Sequence, residues 1–384
     1  MAGWAPNPND PVLYQAAQLG IQSLWEGCIA PLDAADPVRN AEICTEQVAQ
    51  IDSKDMSLEV WKALLRRVHG CLMQSDVAGV VVAHGTDTAE ETAFMLHHAL
   101  SQQDQPMLTK PVVLTCAMRP ANVPTADGPQ NLRDAVRVAL DPQATGVVLV
   151  CAGEVHEARA VQKVYATALN PFSSGISGPL ARVLSAPNER IRGAPDGEAC
   201  VTWLKRPAGL TPTHQAPPMR RRPIQTLWEA PEWPRVEMVW SHALASDWAL
   251  RALLGSEVSA EAQKRSAKSK LMGLVVAGTG NCTVHESLEP LLQQAAPMGV
   301  KVVRTTRCLE GGVHLEGGVH IGEALSTSAY QGLSPFKARI ALMIDLLISY
   351  DSLNLIHPRH AEFSKPPHPA DPIPRSRPDQ QGFG

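Results

Sequence analysis

The stretch from Ala78 to Leu96, AGVVVAHGTDTAEETAFML, constrains the fold of this chain more than any other. Its apolar run from Val80 to Ala83 is typical of a buried parallel strand, and the residues from Ala89 onward are good helix formers. Thr88 is followed three residues later by a glutamate, a capping-box pattern that predicts a helix start at Ala89. The stretch therefore predicts a strand, a short turn and a helix, which is the repeating unit of an open α/β sheet.

The turn of this unit carries Thr86 and Asp87. Open α/β sheets bind their ligands at the carboxyl ends of the strands, where this turn lies. A hydroxyl beside a carboxylate can hold and deprotonate a water or another hydroxyl there. Threonine and aspartate also satisfy the backbone groups of turns, and the spacing alone leaves that alternative open.

Short apolar runs alternate with helical patterns along most of the chain, which indicates βαβ units. We therefore expect an α/β fold with a doubly wound parallel sheet in the N-terminal domain and a second, smaller α/β domain. The predicted boundaries are residues 1–204, a Pro- and Arg-rich linker over 205–234, a C-terminal domain over 235–352 and a disordered tail over 353–384. The predicted strands are Val80 to Ala83, Pro111 to Thr115, Gly146 to Cys151, Val236 to Trp240, Leu271 to Ala277 and Val300 to Arg304, with a weaker one at Val48 to Ile51. The predicted helices are Tyr14 to Glu26, one capped by Ser57, one from Ala89, Asn131 to Leu140, Trp248 to Leu254, His285 to Ala295 and 336–350.

Composition argues against several classes of partner. The formal net charge of -4 shows no electrostatic footprint for nucleic acid or an anionic membrane, and the apolar runs are too short for a membrane span. No signal peptide is visible, and the eight cysteines form no CxxC or Cys/His cluster, so we expect a cytoplasmic protein without a structural metal site. The GTGN turn at 278–281 lacks the nucleotide-binding patterns, and Arg220 to Arg222 is read as part of a solvated linker rather than an anion site.

Five stretches in the same order resemble the bacterial-type L-asparaginases, the asparaginase/glutaminase family. Residues 84–96, HGTDTAEETAFML, match the HGTDT signature of that family. The other four are Ser53 to Trp61, Pro111 to Val138, Gly146 to Pro171 and Leu274 to Asn281. The resemblance implies hydrolysis of L-asparagine to L-aspartate and ammonia through a threonine acyl-enzyme, without metal or cofactor, in a homodimer or homotetramer.

The resemblance also assigns roles to individual residues. It implies that Thr86, Asp87 and Lys163 form a Thr–Asp–Lys proton-transfer group. The remaining assignments are Tyr14 as the tyrosine of a mobile lid, Ser53 as a contact to the substrate α-carboxylate, Ala117 as a backbone contact and Thr283 as a contact from a neighbouring subunit.

Each role has a structural alternative. Lys163 also fits a surface lysine, and Tyr14 fits an exposed aromatic at a helix start. Ser53 fits a turn residue, and Thr283 fits the N-cap of the helix predicted from His285.

The sequence departs from the family at its beginning. Family members start with an apolar strand that runs into a TGGTIAG turn carrying the nucleophilic threonine, whereas here Ala2-Gly3 resembles only the end of that turn. Such a strand buries about five or six apolar side chains at roughly 1.5–3 kcal/mol each, which rivals the roughly 5–15 kcal/mol that stabilises a domain. We therefore expect a start assigned too late rather than a truly shortened protein. The chain as given is then expected to be inactive.

Two smaller departures concern specificity. In the family, one subunit lends an acidic residue to the site of its neighbour. The near-repeat CLEGGVHLEGGVH offers Glu310 and Glu316 for this role and does not distinguish between them. Cys116 replaces a glycine usual beside the substrate and is expected to narrow the pocket. The alternatives to an asparaginase are a non-catalytic amide-binding or regulatory protein of the same fold and a glutaminase-type ω-amide hydrolase.

Overall fold

A computed structural model describes residues 3–8, 15–32, 36–101, 109–184, 200–205, 222–258, 270–313 and 330–349. Tyr14, Glu316, most of the predicted linker and the predicted tail lie outside these ranges. The strands within them are β1 Val80–Ala83, β2 Val112–Thr115, β3 Val147–Cys151, β4 Glu154–Glu157, β5 Gln162–Lys163, β6 Phe172–Ser173, β7 Ala181–Leu184, β8 Cys200–Trp203, β9 Arg235–Trp240, β10 Leu271–Gly278 and β11 Lys301–Thr306. The α-helices are α1 Ile21–Ile29, α2 Pro37–Asn40, α3 Leu58–Leu72, α4 Ala89–Ser101, α5 Gly128–Leu140, α6 Gln225–Glu229, α7 Trp248–Val258, α8 Glu289–Ala295 and α9 Pro335–Ile348.

The larger sheet has six strands in the order β1-β2-β3-β4-β7-β8. The first three are parallel and in register, so that Ala83 pairs with Thr115 and Thr115 with Val150. Strands β4, β7 and β8 continue the sheet antiparallel, which the alternation of strands and helices did not predict. The register brings the carboxyl ends of β1, β2 and β3 to one edge, where their connecting turns meet.

Helices cover both faces of this sheet, which confirms the predicted doubly wound α/β arrangement. On one face, α3 and α4 pack against Val112, Leu114 and Leu149 in the largest hydrophobic cluster. On the other face, α5 packs against Val113 and Val148. The alternation of side chains along each strand explains why neighbouring valines join different clusters.

Helix α3 begins where its sequence predicts. Ser57 is the N-cap, and its side chain accepts a hydrogen bond from the backbone N–H of Val60 at 3.4 Å. The buried side chains Leu64, Leu65 and Val68 follow the predicted helical spacing. Local capping and periodicity therefore agree with the tertiary packing in this part of the chain.

The smaller sheet is parallel, in the order β11-β10-β9, and every residue of β10 is buried. Helix α9 packs on it so closely that a Cβ atom added at Gly273 would lie 2.6 Å from Leu342 Cδ2. Helix α9 also joins the cluster that contains α3 and α4. The two sheets therefore share one hydrophobic core, and α9 lies between them.

Three local predictions differ from the structure. The predicted helix from Tyr14 is found only as α1, because residues 15–20 are not helical and Ala17 has a φ of 55°. Residues 48–51 form no strand. The helix predicted from His285 begins at Glu289, and His285 lies before it, where its backbone N–H donates to Ser241 Oγ at 2.9 Å. Thr283 is therefore not its N-cap.

Residues 222–234, inside the range predicted as linker, pack against the core. They include α6, and Ile224, Leu227 and Trp233 are buried in the largest cluster. Among the described residues, no helix combines the length and apolar character that crossing a bilayer requires.

We expect Leu342→Ala to lower the free energy of unfolding by about 2–5 kcal/mol, because it leaves a cavity between α9 and β10. Leu342 is 1% exposed, whereas Leu140 at the end of α5 is 42% exposed. The control Leu140→Ala should therefore change stability by no more than about 0.5 kcal/mol. Urea denaturation measures both, and equal losses would contradict the central position of α9.

Candidate active site

The turn between β1 and α4 places Thr86 and Asp87 at the carboxyl end of a parallel strand, as predicted. Helix α4 begins at Ala89, and the hydroxyl of Thr88 donates to the backbone carbonyl of Ser53 at 2.7 Å. Thr88 therefore ties the turn to a neighbouring segment. The side chain of Asp87 is half exposed.

Lys163 reaches both turn residues. Its ammonium Nζ donates to Thr86 Oγ1 at 3.0 Å and to Asp87 Oδ1 at 2.6 Å. The lysine lies on β5, which pairs antiparallel with β6, and its side chain is only 17% exposed. A charge-assisted contact of this length fixes the orientation of the hydroxyl and the carboxylate. The three groups predicted to act together therefore form one connected set.

Ser53 lies directly beside this turn and is 5% exposed. It begins a short 3-10 helix, Ser53–Asp55, capped by Asp52. A Cβ atom added at Gly85 would lie 2.7 Å from Ser53 Cβ and still closer to Ser53 Oγ. The glycine in HGTDT is thus required by the close approach of Ser53, and the structure brings the predicted carboxylate contact next to Thr86.

A chain of buried hydrogen bonds connects this turn to helices α4 and α3. Trp61 Nε1–H donates to Thr92 Oγ1 at 2.9 Å, and Thr92 Oγ1 lies 3.0 Å from His84 Nε2. His84 Nδ1 lies 2.7 Å from the carbonyl oxygen of Gly85, which can only accept. The Gly85 carbonyl places a proton on Nδ1 of His84, and burial, which lowers the pKa of His84, favours the neutral form with that proton alone.

Sequence reasoning missed the supporting roles of His84 and Thr92. The histidine belongs to the HGTDT stretch, but its partners come from α3 and α4. A threonine among the otherwise apolar buried residues of α4 was the available signal, because buried hydroxyls require a hydrogen-bond partner.

The turn after β2 carries Ala117, which is half buried. The carboxylate of Asp127 accepts the backbone N–H groups of Met118 and Arg119, each at 2.9 Å. Asn131 Nδ2 donates to the carbonyl of Cys116 at 2.9 Å. These contacts hold the backbone around Ala117 in a defined shape at the same sheet edge as Thr86.

Cys116 is fully buried in the main hydrophobic cluster. Strand alternation explains this placement, because Cys116 lies two residues after Leu114 and on the same face. The narrowing of the pocket expected from this residue stays a prediction.

Thr283 and Glu310, which were expected to contact a neighbouring subunit, lie outside the turns after β1 and β2. Thr283 is exposed at the end of β10, where its hydroxyl lies 2.7 Å from Thr279 Oγ1. Glu310 lies beside Gly175, because a Cβ atom added there would meet its Cγ at 3.3 Å. The carbonyl of Leu309 accepts from Gln162 Nε2 at 3.4 Å, so the segment after β11 approaches the strand that carries Lys163.

Comparison with known proteins gives a consistent result. Two family models match the chain, "Asparaginase, N-terminal" over residues 20–193 and "Glutaminase/Asparaginase C-terminal domain" over residues 235–354. A protein named "Glutaminase-asparaginase" from Pseudomonas fluorescens biotype A is 30% identical over 357 residues, covering 92% of this chain and 86% of the relative. One named "Probable L-asparaginase periplasmic" from Haemophilus influenzae is 31% identical over 341 residues, covering 88% and 83%.

Among solved structures, one similar chain is described as a "Probable Cytoplasmic L-asparaginase" from Campylobacter jejuni. It superposes with a TM-score of 0.67 at 26% identity, and the match covers 90% of this chain and 91% of that one.

We expect Gly85→Ala to lower the free energy of unfolding by about 1–3 kcal/mol, because the new methyl group overlaps Ser53. Ser53→Gly in that background should recover part of the loss, since it removes the overlapping atoms. Gly70→Ala is the matched control, because a Cβ atom at this α3 glycine meets nothing within 4 Å. Denaturation of the four proteins tests the prediction, and a Gly85→Ala variant as stable as the wild type would contradict it.

Proposed function

The chain belongs to the bacterial-type asparaginase family, and on that premise we propose that it converts L-asparagine to L-aspartate and ammonia. The observation that carries the proposal is the contact of the Lys163 ammonium with both Thr86 and Asp87. A lysine held between a hydroxyl and a carboxylate can accept and return a proton, which amide hydrolysis requires twice.

We propose that the reaction passes through a threonine acyl-enzyme. A threonine hydroxyl attacks the side-chain amide carbon and transfers its proton to the group formed by Thr86, Asp87 and Lys163. The same group returns a proton to the amide nitrogen as the C–N bond breaks and ammonia leaves. Water then attacks the ester, aspartate departs, and the hydroxyl is regenerated. Ser53, beside Gly85, is proposed to bind the substrate α-carboxylate.

We expect the nucleophile on a further strand beside β1. Strand β1 ends the described sheet, and its four apolar residues are all partly exposed, whereas those of β2 are all buried. Central strands of a parallel sheet are buried on both faces, so the partial exposure of β1 supports the proposal of a further strand beside it. The carbonyl of Gly3 accepts from the backbone N–H of Ala121 at 2.8 Å, which holds the first described residues beside the loop after β2.

Assembly and compartment are extensions of the same proposal. We propose a homodimer or homotetramer in which the exposed Thr283 reaches the substrate of a neighbouring subunit, while Glu310 remains a candidate for the acidic contact. We propose a cytoplasmic location, supported by the description of the similar solved structure. The periplasmic name of another relative is the reason to test it by cell fractionation.

The 384-residue chain and a longer chain that includes the upstream reading frame should differ in ammonia release from L-asparagine. Without its nucleophile, an enzyme of this type loses a factor on the order of a million in rate. We expect turnover only in the longer chain. Within it, Lys163→Met should lower kcat by about 100- to 10,000-fold, because the proton relay is lost. Lys62→Met is the control, since Lys62 pairs with Glu59 on α3.

The other outcomes have separate meanings. Turnover by the 384-residue chain would place the nucleophile within it, and loss of that turnover in Thr86→Val would identify Thr86. No turnover by either chain, with both folded, would contradict the enzyme proposal. Calorimetric binding of asparagine in that case would favour the non-catalytic amide-binding alternative.

We expect the active chain to prefer asparagine to glutamine by about 10- to 200-fold in kcat/KM. One additional methylene in a fitted pocket changes transition-state binding by roughly 1–3 kcal/mol, which corresponds to that range. Coupled ammonia assays with the two amides measure the ratio. A ratio near one, or one that favours glutamine, would support the glutaminase-type alternative.

A further inference from the structure

Lys337 is a lysine buried in the core between the two sheets. It lies on α9 and is 0% exposed. Its ammonium Nζ donates to the carbonyl of Arg159 at 3.1 Å and to the carbonyl of Val161. Burying an ammonium group costs free energy unless it is paired and hydrogen-bonded, so the burial of Lys337 requires a physical explanation.

The two carbonyls belong to the segment that leads directly into β5, the strand of Lys163. Val161 is two residues before Lys163, so the ammonium of Lys337 holds the chain just ahead of the lysine that contacts Thr86 and Asp87. A helix of the C-terminal part of the sequence thus sets the position of an N-terminal site residue.

Glu90 holds the same segment from the other side. Its carboxylate oxygen Oε2 accepts a hydrogen bond from the backbone N–H of Lys163. Glu90 lies in the first turn of α4, immediately after the turn that carries Thr86 and Asp87. It therefore connects the backbone of Lys163 to the element on which the partners of its side chain lie.

Charges from several elements surround Lys337. Glu90 and Glu91 approach from α4, and Glu157 and Arg159 from β4 and the turn after it. On α9 itself, Arg339 acts on Glu91, and the Lys337 ammonium lies 6.0 Å from the centre of the Phe94 ring.

The electrostatic effects on the two partners are reciprocal. Burial lowers the pKa of Lys337 to about 8, and Glu90 opposes that shift. Burial raises the pKa of Glu90, while Lys337 and the Lys163 N–H lower it. Each group thus favours the charged form of the other.

We propose that Lys337 and Glu90 are positioning residues that together hold Lys163 at hydrogen-bonding distance from Thr86 and Asp87. The proposal rests on the proposed function for its catalytic consequence. A buried ammonium contributes little net stability compared with an apolar side chain of similar size, so a role in specifying one geometry explains the burial of Lys337 better than stability does.

Lys337→Met in the active chain should lower kcat for asparagine by about 10- to 100-fold, because small displacements of a proton-transfer group have effects of that size. The KM of Lys337→Met should change by less than about twofold, since neither Lys337 nor Glu90 is expected to contact the substrate. Arg339→Met is the matched control, because Arg339 also lies on α9 and donates to a backbone carbonyl, that of Val236, at 2.9 Å. It should leave kcat within about twofold of the wild type.

Glu90→Gln provides a second variant that keeps an oxygen acceptor for the Lys163 N–H and removes the charge. The double variant Lys337→Met/Glu90→Gln removes both charges together, so that neither stays buried without the opposite charge that favours its ionised form. Its kcat should exceed that of Lys337→Met alone. A KM effect without a kcat effect, or equal losses in Lys337→Met and Arg339→Met, would overturn the proposal.

Amide hydrogen exchange measured by NMR tests the positioning without relying on activity. The backbone amide of Lys163 should exchange at least about tenfold faster in Lys337→Met, while the amides of β10 and β11 keep their wild-type rates. Unchanged exchange at Lys163 would overturn the proposal. If no chain released ammonia, the proposed function would fail, and the exchange result alone would decide whether Lys337 positions this segment.

Discussion

The parallel pairing of β1, β2 and β3 is the constraint on which the rest of the structure depends. Because the three strands run the same way in register, the turns that follow them meet at one edge of the sheet. The turn after β1 carries Thr86 and Asp87, and the turn after β2 carries Ala117. The apolar strands thus determine where the polar residues of the site converge.

Residues from several elements support the candidate site behind this edge of the sheet. Gly85 allows Ser53 to approach, and the neutral His84 links the turn to Thr92 and Trp61. Each contact joins a different element to the turn after β1. Such connected polar groups favour one geometry, because a partly satisfied buried network is costly. Proton transfer to a reacting amide benefits from that restriction, since its rate depends on short distances and correct orientation.

The smaller sheet contributes to the site through α9. This helix packs on β10 at Gly273 and on α4 in the shared core, so the two parts of the chain are not independent layers. Nε2 of His98 on α4 lies 2.8 Å from Oδ1 of Asp345 on α9, which adds a polar contact to the same boundary. The buried Lys337 extends this boundary to the segment before Lys163. The smaller sheet is therefore connected to the candidate site through α9.

The sequence by itself determined the strands β1 to β3, the starts of α3 and α4, and the conjunction of Thr86, Asp87 and Lys163, because these depend on local periodicity, on the N-cap of α3 and on a recognisable set of motifs. Only the tertiary structure decided the antiparallel strands β4, β7 and β8 and the late starts of α1 and α8. The placement of Lys337 against Val161 belongs to the same group, since a lysine in a helix is expected at the surface until its neighbours are known. Contacts between residues distant in the chain, such as Lys337 and Val161 at a separation of 176 positions, leave no local pattern, and they become visible only when the core has brought the elements together.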